Sequence, residues 1–336
     1  MMVKNIIKWA GLLTAALLAL SSCTGAAPES AKAAAKQAIA EDMPEVLSVP
    51  AVTSTPSSTP AQNAAENAKE TAEPAVQPSS TPSAANPTAT AAQTAEPTRL
   101  PSERWKEWPV LSTTVSDELR QVYRQGLARG NNPHAFSILG DCQSQPEVFM
   151  GIYDSDPDFV KQLPQHLQET VKQFSGSFDR YSPTVKDGTT EGALLWAQWN
   201  DNKEKKCTPG ETPIDCELRV HKPTIVFVHI GTHWEARNRG YLTTIIEKIL
   251  EHGAVPVLVT KADNRELDER VNENLASLAE EFDLPLWNFW ASVQHLPENG
   301  MEPGSDMYLS EEGLIIHRQG GLEALDSVWR QLSAEN

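Results

Sequence analysis

The predicted fold is built around one short segment, Phe136-Ser137-Ile138-Leu139-Gly140-Asp141-Cys142-Gln143, in which an apolar run ends in a glycine, an acid and a potential nucleophile. Short apolar runs with aromatic and β-branched members are typical of buried strands in parallel sheets. Ligand sites of open α/β sheets lie just beyond the carboxyl ends of such strands. Cys142 is therefore predicted to lie at the edge of the sheet where ligands bind. The alternative is that Gly140 and Asp141 only form a tight turn and the thiol packs as a small apolar group.

Apolar segments of the same character recur along the chain, at 224–230, 255–260 and 284–290. Helical patterns lie between and after them, at about 241–252, 265–282 and 321–332. Strands that alternate with helices of this length form right-handed crossover units and a parallel sheet covered on both faces. The predicted fold class is therefore α/β, a three-layer α/β/α sandwich.

The amino-terminal residues 1–22 have the features of a targeting segment. Two lysines supply positive charge, and the apolar run 10–20 is too short to span a bilayer comfortably. The run ends in Leu20-Ser21-Ser22-Cys23, which resembles the bacterial lipobox. The resemblance implies cleavage before Cys23, lipidation of that residue and an extracytoplasmic protein tethered to the membrane. The alternatives are an uncleaved anchor, or an ordinary signal peptide in which Cys23 is incidental.

Residues 23–100 consist mainly of Ala, Pro, Thr, Ser, Glu and Gln. Such a segment buries too little apolar surface to offset its ordering entropy, so we predict a disordered tether, open to O-glycosylation at motifs such as Ser79-Ser80-Thr81-Pro82. The folded domain is predicted at 101–336, a length that suits one α/β domain. The net charge of −17 argues against a nucleic-acid partner, which would need a basic face.

Two of the cysteines, Cys207 and Cys216, flank a loop that contains Pro and Gly. In an extracytoplasmic protein we expect them to pair, which closes a loop of about ten residues and stabilises the fold by about 2–3 kcal/mol. A metal site at these cysteines is the weaker alternative, because no second cysteine pair supports it. The pairing leaves Cys142 as the odd cysteine of the folded domain.

Four blocks occur in the order found in the SGNH (GDSL-like) hydrolases: Gly140-Asp141-Cys142, Ser175-Gly176-Ser177, Ile230-Gly231-Thr232-His233 and Asp306-Met307-Tyr308-Leu309-Ser310. The domain resembles this family over essentially its whole length. The resemblance implies a flavodoxin-like parallel sheet and ester chemistry, without a cofactor, on acylated carbohydrate or lipid. In the family, the first block carries a nucleophilic serine. The second and third supply a glycine amide and an asparagine to the oxyanion hole, and the last supplies the acid and the histidine that activate the serine.

Three side chains that define the family are different in this chain. The resemblance places Cys142 at the nucleophile, His233 at the asparagine and Tyr308 at the histidine. Asp306 or Ser305 falls near the position of the acid, depending on the alignment. Four residues are of the same type as in the blocks of the family: Gly140, Asp141, Gly176 and Gly231.

Two functions follow as alternatives. A phenol titrates near pH 10, so Tyr308 does not replace an imidazole base at neutral pH. In the first function, His233 activates the Cys142 thiol, because a thiolate needs less help than a serine alkoxide. Asp306 or Glu235 would orient the imidazole. The backbone amides of the oxyanion hole are assigned to Cys142, Gly176 and Gly231.

In the second function, the domain no longer catalyses and binds a glycan or an acyl ester at the cell surface. A further alternative is that His317, predicted in the loop before the last helix, supplies the base from a shifted position.

His229 and His233 share one face of an extended strand, which suggests a metal pair. Without a convincing third ligand, the sequence predicts no metal site.

Overall fold

The computed structural model describes residues 99–231 and 238–334. The predictions made for the targeting segment, for Cys23, for most of the tether and for His233 and Glu235 lie outside these residues. Within the described ranges, no helix is long and apolar enough to cross a membrane.

A five-stranded sheet forms the centre of the domain. Its strands are β1 (Leu111–Ser112), β2 (Phe136–Gly140), β3 (Ile225–His229), β4 (Val255–Val259) and β5 (Leu286–Trp287), in the spatial order β1-β5-β4-β3-β2. Strands β2 to β5 run parallel, whereas β1 pairs antiparallel with β5. The prediction of an all-parallel sheet is therefore corrected at one edge. A two-residue strand has no periodicity that a sequence pattern could reveal.

Strand β2 lies where the strand order reverses. A parallel bridge joins Gly140, at the end of β2, to Val185, and the Gly140 amide donates to the carbonyl of Thr184 at 3.0 Å. Counted with this bridge, the parallel segments lie in the order second, first, third, fourth, fifth, which is the flavodoxin-like order. The predicted α/β/α sandwich is confirmed, with its second strand reduced to a single bridge. Cys142 follows the strand at the reversal, where α/β sheets form their ligand crevices.

Helices cover both faces, as the complete burial of every residue in β2, β3 and β4 requires. The described α-helices are α1 (Asp117–Ala128), α2 (Ile152–Ser155), α3 (Pro157–Val160), α4 (Gln165–Gln173), α5 (Glu191–Leu194), α6 (Pro213–His221), α7 (Arg239–His252), α8 (Arg270–Glu281), α9 (Phe289–Val293) and α10 (Glu311–Ser333). Short 3-10 turns are at Ser102–Glu107, Cys142–Ser144, Ala197–Trp199 and Pro297–Gly300.

Two predicted elements differ in extent. The apolar segment 284–290 contains only the short β5, because the Asn288 side chain accepts the Ala291 amide and starts α9. The last helix, α10, begins at Glu311 rather than near 321, with Ser310 as its N-cap. His317 therefore lies inside a helix and not in a loop.

Glycines inside α10 explain why the sequence pattern indicates a helix only from about residue 321. A β-carbon on Gly320 would stand 2.7 Å from the Trp287 ring, and one on Gly321 would stand 2.5 Å from Phe149. These glycines weaken the helical pattern locally, but they let α10 pack closely against the core.

Candidate functional site

Cys142 lies at the carboxyl end of β2, in the turn Cys142–Ser144, and is 1% exposed. The Asp141 carboxylate caps this turn by accepting the Gln143 amide at 3.1 Å. The same carboxylate accepts the amide of Gly231, just beyond the end of β3, at 3.4 Å. The first and third blocks of the sequence are therefore adjacent. The Gly231 amide donates to Asp141, whereas the resemblance had assigned this amide to the oxyanion hole.

The last block reaches the same edge of the sheet. The Gln143 side-chain amide donates to the Met307 carbonyl, and the Ser305 hydroxyl accepts the amides of Met307 and Tyr308 at 3.2 and 2.8 Å. The Asp306 side chain, however, is 80% exposed, with its Oδ2 3.6 Å from Nε of Arg265. Asp306 is therefore turned toward solvent, which does not suit an acid that orients a catalytic base.

Gly176 lies away from Cys142. Its amide donates to both carboxylate oxygens of Asp154, at 2.9 and 3.1 Å. Gly176 shares a cleft with His221, whose ring contacts the Phe136 carbonyl at the start of β2. A strand of this length spans about 16 Å, so Gly176 and Cys142 stand at opposite ends of β2. The structure does not bring Gly176 to the predicted oxyanion hole.

A further glycine, Gly188, lies on the loop that follows the Val185 bridge and has φ +77°. The loop after the second parallel segment meets the loop after the first at a strand-order reversal. Sequence reasoning missed Gly188 because a one-residue bridge has no strand pattern. The available signal was the dipeptide Asp187-Gly188, which is typical of a turn.

Glu191, the first residue of α5, is a buried acid beside this edge. It is 1% exposed, and its carboxylate oxygens have no hydrogen-bond partner in the described part of the chain. Burial is the main cause that raises the pKa of Glu191 to about 8; Asp141 acts in the same direction and Lys261 opposes it. Glu191 is therefore mostly protonated at pH 7.

Lys261 lies two residues after the end of β4 and is 4% exposed. Its ammonium group binds the carboxylates of Asp263, at 2.7 Å, and Glu266. Burial raises the pKa of Asp263, against the effect of the lysine. One buried cation shared by two carboxylates leaves this cluster with a formal charge of −1, which disfavours another buried anion nearby.

Two buried histidines face each other next to this cluster. His229 ends β3, His317 lies in the second turn of α10, and their Nε2 atoms are 3.3 Å apart. Nδ1 of His229 is 2.7 Å from the Ser144 hydroxyl. Burial lowers the pKa of His229 to about 4, and burial together with His229 lowers the pKa of His317. Both rings are neutral at pH 7, and Nε2 of His317 is directed at His229 in the folded protein.

Cys207 and Cys216 form a disulfide, with Cα atoms 5.2 Å apart, and Cys142 is not part of a disulfide. A carboxylate oxygen of Glu211 lies within 4.8 Å of both sulfur atoms. Because those sulfurs are bonded to each other, they are not available as thiolate ligands.

No protein-family model matches the chain, and no curated protein matches it. Solved structures that match the chain include esterases and a lipase. The psychrotrophic esterase EstA from Pseudoalteromonas sp. has 14% sequence identity, over 57% of this chain and 96% of the esterase, with a TM-score of 0.37. A GDSL-like lipase from Bacteroides thetaiotaomicron has 16% identity, over 62% of this chain and 97% of the lipase, with a TM-score of 0.37.

A catalytic mutant of an acetylxylan esterase from Geobacillus stearothermophilus has 14% identity, over 58% of this chain and 95% of the esterase, with a TM-score of 0.38. Similarity at these identities concerns the fold alone.

Proposed function

We propose that this protein is a membrane-tethered, extracytoplasmic relative of the SGNH hydrolases that binds an acylated carbohydrate or lipid and has little or no serine-triad esterase activity. The tether and its lipid anchor at Cys23 rest on the sequence motif. The lack of triad activity and the binding role rest on the edge of the sheet around Cys142.

The proposal rests mainly on the residues that stand where the family has the acid and the histidine of its catalytic triad. A triad needs an imidazole to accept the proton of the nucleophile and a carboxylate to orient that imidazole. At this edge, Asp306 is exposed beside Arg265 and Tyr308 offers a phenol. His317, the shifted alternative, faces His229. These three residues do not assemble the family's proton relay.

A groove beside the same edge supports a binding role. It has a volume of about 660 Å³ and follows the loop that contains Gly188. Trp196 and Tyr241 line it and are 56% and 46% exposed. Gly192 also lines the groove and has no side chain to fill it; a β-carbon at this position would stand 3.1 Å from Tyr241. Exposed aromatic faces offer contact area for the C–H face of a sugar or for an acyl chain.

A second candidate is slow ester hydrolysis by Cys142, with His233 as base. The position of Cys142 directly after β2, with Asp141 bound to the Gly231 amide, favours it. A thiol at a strand-order reversal stands where nucleophiles of α/β hydrolases are placed.

Hydrolysis of p-nitrophenyl acetate by the purified full chain separates the two candidates. We expect the wild type and Cys142→Ala to have the same rate, at the level of the uncatalysed reaction. A rate lost in Cys142→Ala and in His233→Ala would establish the second candidate and overturn the first.

Binding is measured by isothermal titration calorimetry with acetylated xylo-oligosaccharides and, separately, with a lauroyl ester. We expect one of these probes to bind and Trp196→Ala to weaken that binding at least tenfold. Leu267→Ala is the matched control, because Leu267 is an exposed apolar residue that does not line the groove. Equal binding by both variants, or no binding of either probe, contradicts a role for the groove.

A further inference from the structure

We propose that His229 and His317 bind one copper(I) ion through their facing Nε2 atoms, with a methionine thioether from the adjoining cavity as a further ligand. This site is independent of the proposed ligand-binding function. The sequence predicts no metal because it offers only His233 as a partner for His229, whereas the tertiary structure supplies His317.

The separation of the two nitrogens fits a shared ion. An ion bound tetrahedrally at about 2.05 Å from two imidazole nitrogens holds those nitrogens about 3.3 Å apart, and a trigonal ion holds them about 3.5 Å apart. The Nε2 atoms of His229 and His317 are 3.3 Å apart. The two nitrogens, which are hydrogen-bonded to each other without the ion, therefore already have the spacing of two ligands of one ion.

The surroundings of His229 orient its ring for ligation. Metal-binding histidines generally use the second ring nitrogen to donate to an acceptor, which sets the tautomer. Here Nδ1 of His229 is 2.7 Å from the Ser144 hydroxyl, and that hydroxyl is 3.3 Å from the His229 carbonyl, to which it can donate. With the proton on Nδ1, the Nε2 lone pair of His229 points toward His317.

The adjoining cavity indicates which metal fits. It is about 10 Å³ in volume and is lined by both histidines and by Met301 and Met307. Thioether sulfur is a soft ligand that selects copper(I), whereas hard cations prefer oxygen ligands. Imidazole and thioether are neutral, so the ion keeps its single positive charge.

The charges around the cavity match that single charge. Lys261 and Asp263 also line the cavity, and Glu266 binds the same lysine. The three groups have a formal charge of −1, which balances one copper(I) ion. Aromatic rings close the other side: the His317 ring stacks on Phe149 at 4.2 Å and lies 4.7 Å from Phe289, between ring centroids. A dry, apolar wall favours a monovalent ion over a strongly hydrated divalent one.

The test is a titration of the full chain with copper(I), in ascorbate, against the coloured competitor bicinchoninate. The Cys23→Ser, Cys142→Ala background removes the two cysteines outside the disulfide and leaves the disulfide intact. We expect one copper per chain in this background. His317→Phe, which keeps an aromatic ring beside Phe149, should abolish binding, and Met301→Leu and Met307→Leu together should weaken it at least tenfold.

Ser144→Ala should weaken copper binding about 10- to 100-fold, as loss of an orienting partner typically does. His252→Gln is the matched control, because His252 is a half-buried histidine at the end of α7 that does not line the cavity. Circular dichroism confirms that each variant is folded.

X-ray absorption of the copper-loaded background identifies the donors without any histidine substitution, so the test holds even if His317→Phe does not fold. Nitrogen and sulfur neighbours support the proposal. No retained copper in the thiol-free background, or unchanged binding by folded His317→Phe, overturns it.

Discussion

His317 of α10 and His229 of β3 are 88 residues apart in the chain, yet their Nε2 atoms are 3.3 Å apart in the core. This contact joins the last helix to the third strand directly behind the turn that holds Cys142. It directs the Nε2 atom of His317 at His229 and not at Cys142. Burial of His229 makes the domain sensitive to acid.

The first prediction concerns that sensitivity. Burial lowers the pKa of His229 to about 4, whereas an unfolded histidine titrates near 6.5. Between these values the unfolded chain binds a proton that the folded chain does not, so the free energy of unfolding falls as the pH falls. From pH 6.5 to 5 we expect a loss of about 1.5 kcal/mol from this residue. Urea denaturation of the metal-free protein at both pH values measures it.

The control for this prediction is His229→Gln, which should lose less stability than the wild type over the same pH range. His221, whose pKa burial lowers to about 4, remains in both proteins and contributes equally. An identical pH dependence for wild type and variant would contradict the prediction.

The second prediction concerns Glu191, which has no hydrogen-bond partner among the described residues. Burial raises its pKa to about 8, so the folded chain keeps a proton that the unfolded chain releases above about pH 4.5. Its contribution to stability is therefore full below pH 4.5 and is lost as the pH rises toward 8. Relative to wild type, Glu191→Gln should gain about 3 kcal/mol of stability between pH 5 and pH 8.

Glu217 is the matched control, because it is equally buried but fully paired. It binds Arg180 and accepts the hydroxyls of Ser137 and Ser182 at 2.6 and 2.9 Å. Burial alone would raise its pKa, but Arg180 and these bonds lower it. Glu217→Gln should cost about 3–5 kcal/mol at pH 8. Denaturation curves in which the two variants behave alike would show that pairing does not distinguish these acids.

The third prediction concerns the disulfide between Cys207 and Cys216, which are nine positions apart. Replacing both by serine should lower the free energy of unfolding by about 2–3 kcal/mol, because the unfolded chain gains loop freedom. Non-reducing urea denaturation measures the change. The Asn202 side chain also bonds to both backbone groups of Cys207, at 2.9 Å each. No loss of stability would mean that these bonds alone hold the loop.

The fourth prediction tests the inherited mechanism by restoring it. The Ser305 hydroxyl accepts two backbone amides, and an aspartate can keep such a turn. In a Cys142→Ser background, Ser305→Asp with Tyr308→His should raise p-nitrophenyl acetate hydrolysis at least about 100-fold, the lower end of what acid–base catalysis contributes.

The matched control replaces Ser305→Asp by Ser305→Asn, which keeps the turn but not the charge. It should lose most of the restored rate, because the imidazole is no longer oriented by a carboxylate. Equal rates in the two proteins would mean that residue 305 does not reach the restored histidine.

The parts of the fold that rest on local pattern could be read from the sequence. The apolar runs at β2, β3 and β4 match the observed strands to within one or two residues. Ser116 caps α1 by accepting the Leu119 amide, and Pro164 directly precedes α4. Each of these features depends on neighbours a few residues away, and so the side-chain sequence is sufficient to specify it.

The composition of the site depended on contacts between distant parts of the chain. Gly188, rather than Gly176, follows the segment that pairs with the end of β2, because one bridge joins Gly140 to Val185. His317 meets His229 only because glycines let α10 pack against the core. A motif fixes which residue types are present, whereas strand order and helix packing decide which of them meet, and those depend on burial energies summed over the whole domain.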